Sequence, residues 1–124
     1  MNLLIDTQIF LWILNGDRRL KAKNRDVIRS ADRRFVSVVS AWEVAIKAGL
    51  GKLVFPVPFE PAITANGFTP LAITFDHVAA VQHLPNHHRD PFDRLLIAQS
   101  VSEGLTLVSA DYRLAQYGTP FVAA

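Results

Sequence analysis

Apolar and polar positions alternate along this chain in blocks, and the blocks have two different lengths. Asn2 to Ile5 and Phe35 to Val39 are short, apolar or β-branched runs of the kind buried on both faces of a sheet. Thr106 to Val108 is a third such run, and Pro120 to Val122 a fourth. Between them lie segments with helical character. Thr7 to Leu14 follows the first run directly, Leu20 to Ala31 carries a basic face, and Ala41 to Ala48 is rich in helix formers and stops at Gly49 and Gly51. Phe75 to Leu84 and Pro91 to Glu103 complete the helices. Pro56, Pro58 and Pro61 mark a connector that cannot be a central strand, and Asn86 to Arg89 reads as a polar loop.

Short buried strands alternating with helices predict an α/β fold, a three-layer domain with a mostly parallel central sheet flanked by helices. Residues 1–124 are expected to form one domain, because this length suits a single core and leaves little for a second. In such sheets ligands bind beyond the carboxyl ends of the strands. Asp6 and Asp111 follow the first and third runs, so both are expected on that edge.

Composition narrows the picture. Half the residues are hydrophobic and 19% are charged, which argues for a folded chain. The absence of cysteine excludes disulfides and thiolate metal sites, and a cytoplasmic location fits it. Glu43 and Lys47 interrupt the best candidate for a membrane span, so none is expected. The net charge of +2 says little, but eight of the thirteen Lys and Arg residues fall between Arg18 and Arg34. That segment is either a solvated helix face or a contact for a phosphate backbone or an acidic partner.

The chain has eleven carboxylate residues, and five of them, Asp6, Glu43, Asp90, Asp93 and Asp111, fall at strand-to-helix junctions or within a turn of one. Glu43 stands among Trp42, Val44, Ala45 and Ile46, where a charge is costly unless paired. It reads either as an i,i+4 partner of Lys47 or as a site carboxylate. Asp90 suits the N-cap ahead of Pro91, and Asp93 the first helical turn, where the helix dipole favours an anion. If these acids meet at about 5 Å, each like-charged pair costs on the order of 3 kcal/mol at an effective dielectric of about 20. A divalent cation or proton uptake must offset that. Oxygen donors without thiolates select Mg²⁺ or Mn²⁺, one or two ions, and phosphodiester hydrolysis is the chemistry such a site supports.

Four stretches, LLIDTQIFLW, VSAWEVAIKAGLGKL, HHRDPFDRLLIAQS and LTLVSADYRLAQYG, together resemble the PIN-domain nucleases, and most closely the VapC-type toxin ribonucleases of toxin-antitoxin pairs. The resemblance spans nearly the whole chain. It implies that Asp6, Glu43, Asp93 and Asp111 hold the metal, with Asp90 beside them, and that Thr7 and Ser109 line the site. Gln8 departs from the histidine that many similar sequences carry there. The resemblance further implies an endoribonuclease that leaves a 5′-phosphate and a 3′-hydroxyl, acts as a homodimer, and is inhibited by a cognate antitoxin with a tail over the acids.

Arg89 and Arg94 are candidates for holding substrate phosphate, with local pairing to Asp90 or Asp93 as the alternative. His87 and His88, adjacent in a polar loop, read as solvent-facing. Trp12 and Trp42 fall on apolar helix faces and read as core or dimer contacts. Two rival functions are a receiver-like phosphoacceptor domain and a catalytically inactive PIN-like domain that binds RNA or a partner. The first would want adjacent acids after the first strand, where this chain has Asp6 and Thr7, and a late lysine, whereas none follows Lys52. A phosphatase of the haloacid dehalogenase type would want an aspartate at position 8.

Overall fold

The computed structural model describes residues 1–124. Strand β1 (Asn2–Ile5) leads into helices α1 (Thr7–Asn15) and α2 (Ala22–Ser30), and β2 (Arg33–Ser37) runs into α3 (Val38–Gly49). Helix α4 (Phe59–Ala65), strand β3 (Thr69–Leu71) and helices α5 (Phe75–Val81) and α6 (Pro91–Glu103) follow. The chain ends with β4 (Thr106–Ser109), a 3₁₀ turn over Tyr112–Tyr117, and β5 (Phe121–Ala123). The five strands lie in the order β3-β2-β1-β4-β5, and all four pairings are parallel. Helices cover both faces of the sheet, as the alternating pattern predicts.

Two apolar clusters make the layers. On one face, Ile9 and Phe10 of α1, Ile28 of α2 and Ile63 of α4 close over Leu3, Ile5 and Val36. On the other, Leu95, Leu96 and Ile97 of α6 join Val39 and Leu114 over Leu4 and Leu107. Alternate residues of β1 thus face opposite layers, which is why the whole strand is apolar. Helix α6 is buried over six consecutive residues, Leu95 to Ser100, and ends at Gly104, whose left-handed backbone (φ 67°) closes its last turn. No helix is long and apolar enough to cross a membrane.

Several boundaries differ from the sequence expectation. Val38 and Val39 belong to α3 rather than to the strand, because the Ser37 hydroxyl accepts from the Val39 amide and starts the helix there. The proline-marked connector contains α4, with Pro61 in its first turn, where a missing N–H costs nothing. Strand β3 carries Pro70 and was not apparent in the pattern. It is short and lies at the sheet edge, the one place that tolerates proline.

Candidate active site at the carboxyl edge of β1 and β4

After Leu71 the chain leaves one half of the sheet and re-enters beyond β1, so β1 and β4 are neighbours although about a hundred residues separate them. This is the reversal point at which open parallel sheets leave a crevice. Ile5 pairs with Val108, and the Asp6 amide donates to the Val108 carbonyl at 3.1 Å. Here a cavity of about 330 Å³ opens, lined by Asp6, Glu43, Asp90, Asp93 and Asp111 together with Thr7, Gln8 and Ala110. All five acids singled out in the sequence therefore meet at one place. A larger cleft of about 490 Å³ lies between α1 and the proline segment, but it carries no ionisable side chain.

Each carboxylate also has a local structural task. Asp6 caps α1 through an oxygen that accepts from the Ile9 amide at 2.8 Å. Burial pushes its carboxyl up to about 6 against the hydrogen bonds from Ser109 and Ile9, and the charges of Glu43 and Asp111 push the same way. Asp90 caps α6 by accepting from the amides of Phe92 (2.8 Å) and Asp93 (3.3 Å). Asp93, in the first turn of that helix, is pushed up to about 7 by burial first and then by the charges of Asp90, Asp6 and Glu43, which outweigh His88. Capping and convergence are thus compatible. A helix start both satisfies the acid and aims it at the cavity.

Glu43 is 8% exposed, and both its oxygens are engaged. Thr7 Oγ1 lies 2.7 Å from Glu43 Oε1 and 2.8 Å from Ser40 Oγ. A carboxylate only accepts, so the Thr7 proton goes to Glu43, and Ser40 is left as donor in the second contact. Lys47 Nζ reaches Glu43 Oε2 at 2.7 Å. The i,i+4 pair read from the sequence is real, and it belongs to the rim of the acidic cavity rather than to a separate exposed stripe.

Asp111 behaves differently from the buried acids. Its carboxylate is held side-on by Arg113, with Nε at 2.9 Å and Nη2 at 2.7 Å, and this guanidinium lowers it to about 2. Ser109, fully buried at the end of β4, accepts from the Asp111 amide at 3.0 Å.

The expectation for His88 needs correction. Its ring is largely buried, with Nε2 3.1 Å from Asp93 and 3.4 Å from Asp111, because the loop folds back over the start of α6. His88, Asp93 and Asp111 offer ligand atoms within 4.8 Å of one another, a group that could hold a divalent metal. Nδ1 accepts from the amides of Arg89 (3.0 Å) and Asp90 (3.4 Å). In the neutral ring the proton therefore sits on Nε2 and faces the two carboxylates, although no contact there is aligned as a good hydrogen bond. Ligation by Nε2 would require that proton to leave and Nδ1 to become a donor, against the two amides. The ring thus stands beside Asp93 and Asp111 with its free nitrogen turned to the two acids. His87 packs edge-on against Tyr117, outside the cavity.

Arg94 also stands apart from its expected place. Its guanidinium donates to the carbonyls of Val81, Leu84 and Pro85 and to the Tyr117 hydroxyl, which ties the end of α5 to α6. It pairs with neither Asp90 nor Asp93, and it is not available to a phosphate. Arg89 is exposed and does not line the cavity. Trp42 is not core: it is 48% exposed, packs edge-on against Phe92, and shares an exposed stripe of α3 with Val38 and Ile46. Trp12 is partly buried against the core of the α1 layer.

Residues 3–120 match the sequence profile of the PIN domain. The chain is 27% identical to the ribonuclease VapC22 of Mycobacterium tuberculosis, over 94% of this chain and 92% of that protein. Among solved structures, it resembles a chain of the VapBC2 complex of Rickettsia felis bound to a promoter DNA fragment, with a TM-score of 0.73 at 13% identity, covering 99% and 98% of the two chains. It also resembles a chain of a toxin-antitoxin complex from Klebsiella pneumoniae, with a TM-score of 0.69 at 14% identity, covering 98% and 97%.

Proposed function

This chain belongs to the PIN-domain family, and from that premise we propose that it is a metal-dependent endoribonuclease, the toxin of a type II toxin-antitoxin pair. The observation that carries the reading is the convergence of Asp6, Glu43, Asp90, Asp93 and Asp111 on one cavity, with Asp6 and Asp93 raised to about 6 and about 7. A domain stable by roughly 5 to 15 kcal/mol does not gather such charges without a counter-charge or bound protons, and a cation supplies the first where the protons are lost. The donors are carboxylate oxygens, and no thiolate is present, so they fit Mg²⁺ or Mn²⁺. Asp6, Glu43, Asp93 and Asp111 would hold the ion or ions, with Asp90 as a nearby charge. When bound, the metal would polarise the scissile phosphate and the attacking water.

The remaining tasks fall to side chains of the protein. Thr7, with Ser40 behind it, fixes the rotamer of Glu43, and the Ile9 amide does the same for Asp6. Arg113 grips Asp111 with Nε and Nη2, so its Nη1 edge, at the rim, is free for a phosphate oxygen of RNA. This is the role that the sequence suggested for Arg89 or Arg94. Cleavage would leave a 5′-phosphate and a 3′-hydroxyl.

The partners follow from the same reading. An antitoxin segment laid over the acids would silence the enzyme, and the similarity to chains of toxin-antitoxin complexes supports such a partner. A homodimer is supported by the exposed α3 stripe of Val38, Trp42 and Ile46, one apolar residue per turn, each at least 39% exposed. A cytoplasmic setting suits a cysteine-free chain with RNA as substrate.

The purified protein, freed of any antitoxin, is expected to cut single-stranded RNA in Mg²⁺ or Mn²⁺ and to stop in chelator. Undiminished cutting in chelator would reject the metal mechanism, and no cutting in either ion would favour an inactive RNA- or partner-binding domain.

A further inference from the structure

The basic segment is not absorbed by the acidic site. On the layer formed by α1, α2 and α4 lies a second cleft of about 260 Å³, which shares no lining residue with the acidic cavity. Its floor is apolar, made by Ile13, Leu20, Ile28 and Phe68, and its polar groups are Arg25, Arg29, Arg34 and Asn66. Arg34 pairs in register with Leu3, near the amino end of the sheet, whereas the acids lie beyond its carboxyl end.

The three arginines differ in what already holds them. Arg25 is oriented by the carbonyls of Leu20 and Asp17, which take its Nε and Nη2 and leave Nη1 free. Arg29 has only Asp26 at 4.0 Å, and both are largely exposed, so this pair constrains it little. Arg34 is half-buried and makes no hydrogen bond or ion pair with the protein. Its guanidinium lies over the Phe68 ring, 5.4 Å from the centroid, and against Gly67. A Cβ at Gly67 would stand 3.0 Å from Arg34 Nη2, and the backbone there has φ +81°, so glycine makes the room that this guanidinium occupies. A half-buried guanidinium that no protein acceptor engages has its donors free for an anion.

We propose that this cleft binds one phosphate group carried on a nucleotide, either a free mononucleotide or one unit of an RNA strand. Three guanidinium groups reaching one space from β2 and from two positions on α2 suit a tetrahedral anion with several acceptor oxygens. A planar carboxylate is satisfied by one or two such forks. The volume is below the range of about 300 to 1,000 Å³ usual for larger small-molecule sites, and the apolar floor admits one ring beside the phosphate. The cleft therefore holds a single nucleotide unit rather than several.

The test is carried out on the full chain in EDTA, which keeps the acidic cavity out of the measurement and makes the result independent of ribonuclease activity. Inorganic phosphate, adenosine monophosphate, a short oligouridylate and an acidic peptide are titrated by calorimetry. Saturable binding of a phosphate probe is expected, weakened about tenfold in both Arg34→Gln and Arg29→Gln and unchanged in Asp93→Asn. Arg29 is exposed and bears little on folding, so its variant keeps the test valid if Arg34→Gln is poorly folded. Binding of the mononucleotide identifies a free nucleotide as the source of the phosphate. Binding of the oligomer alone, lost in the same variants, identifies RNA. Binding of no phosphate probe, binding indifferent to both substitutions, or tighter binding of the acidic peptide would overturn the proposal.

Discussion

Arg113 holds both oxygens of Asp111 in a side-on pair, at 2.9 and 2.7 Å, at the mouth of a cavity whose other acids have no guanidinium partner. The arrangement gives Asp111 a counter-charge from within the chain and makes Arg113 a competitor for any cation that needs this carboxylate. Arg113→Ala is therefore expected to raise the apparent affinity for Mn²⁺ several-fold while lowering RNA cleavage by at least about tenfold, because an arginine on a phosphate is lost. Isothermal titration with Mn²⁺, set beside cleavage rates, reads both. Unchanged metal affinity together with unchanged cleavage would remove Arg113 from the site.

The acids set a pH dependence on the metal-free protein. Asp6 and Asp93 stand at about 6 and about 7 against an ordinary 3.8, so between about pH 4 and 7 the folded state keeps protons that the unfolded chain has released. Stability is then highest below pH 4 as far as these groups are concerned, and it falls as pH rises through their folded values, by a few kcal/mol in all. Thermal melts in chelator are expected to show a decreasing Tm over that window, and Mg²⁺ at pH 7.5 is expected to restore it. A Tm that rises from pH 4 to 7 would show that the carboxylates are not crowded.

Asp93→Asn removes one of the repelling charges. Cleavage is expected to be abolished, while metal-free stability at pH 7.5 stays equal or increases and the fall in Tm with pH becomes shallower. A markedly lower metal-free Tm would mean that the first-turn position of Asp93 in α6 matters more than its repulsion with Asp6, Asp90 and Glu43.

Thr7 acts through Glu43. Thr7→Val keeps the shape and removes the hydroxyl, so Glu43 Oε1 loses its donor. A cleavage loss of about 10- to 100-fold is expected, with a stability loss of about 1 to 3 kcal/mol, and Thr7→Ser should rescue most of both. Equal activity in the valine variant would leave Glu43 positioned by Lys47 alone.

The α3 stripe can be tested apart from the chemistry. Ile46→Glu places a charge in the exposed apolar row and is expected to shift the protein from dimer to monomer in sedimentation or light scattering, with the fold retained by circular dichroism. A monomeric wild-type chain would refute the homodimer directly.

Much of the site is legible in the sequence, and what is missed is informative. Asp6, Asp90, Asp93 and Asp111 mark themselves as acids at the starts of helices or turns, a local signal. Ser40 could have been found from its place one turn before Glu43, and Arg113 from its place two residues after a capping Asp111. His88 carries no such signal, because its position depends on how a polar loop folds back over α6. Arg94 misled because an arginine beside Asp93 in the chain lies on another side of the helix, where carbonyls at the end of α5 take its donors.

The sequence by itself determined the alternation of strands and helices, the parallel character of the sheet, and the presence of Asp6 and Asp111 just past strand ends. These depend on short-range periodicity and capping, which are written in consecutive residues. Only the tertiary structure decided that β1 lies between β2 and β4, and hence that Ile5 stands beside Val108 and the two acids share an edge. Strand order is chosen by how two helical layers can cover both faces of one sheet. That choice is made among segments far apart in the chain, so no window of neighbouring residues records it.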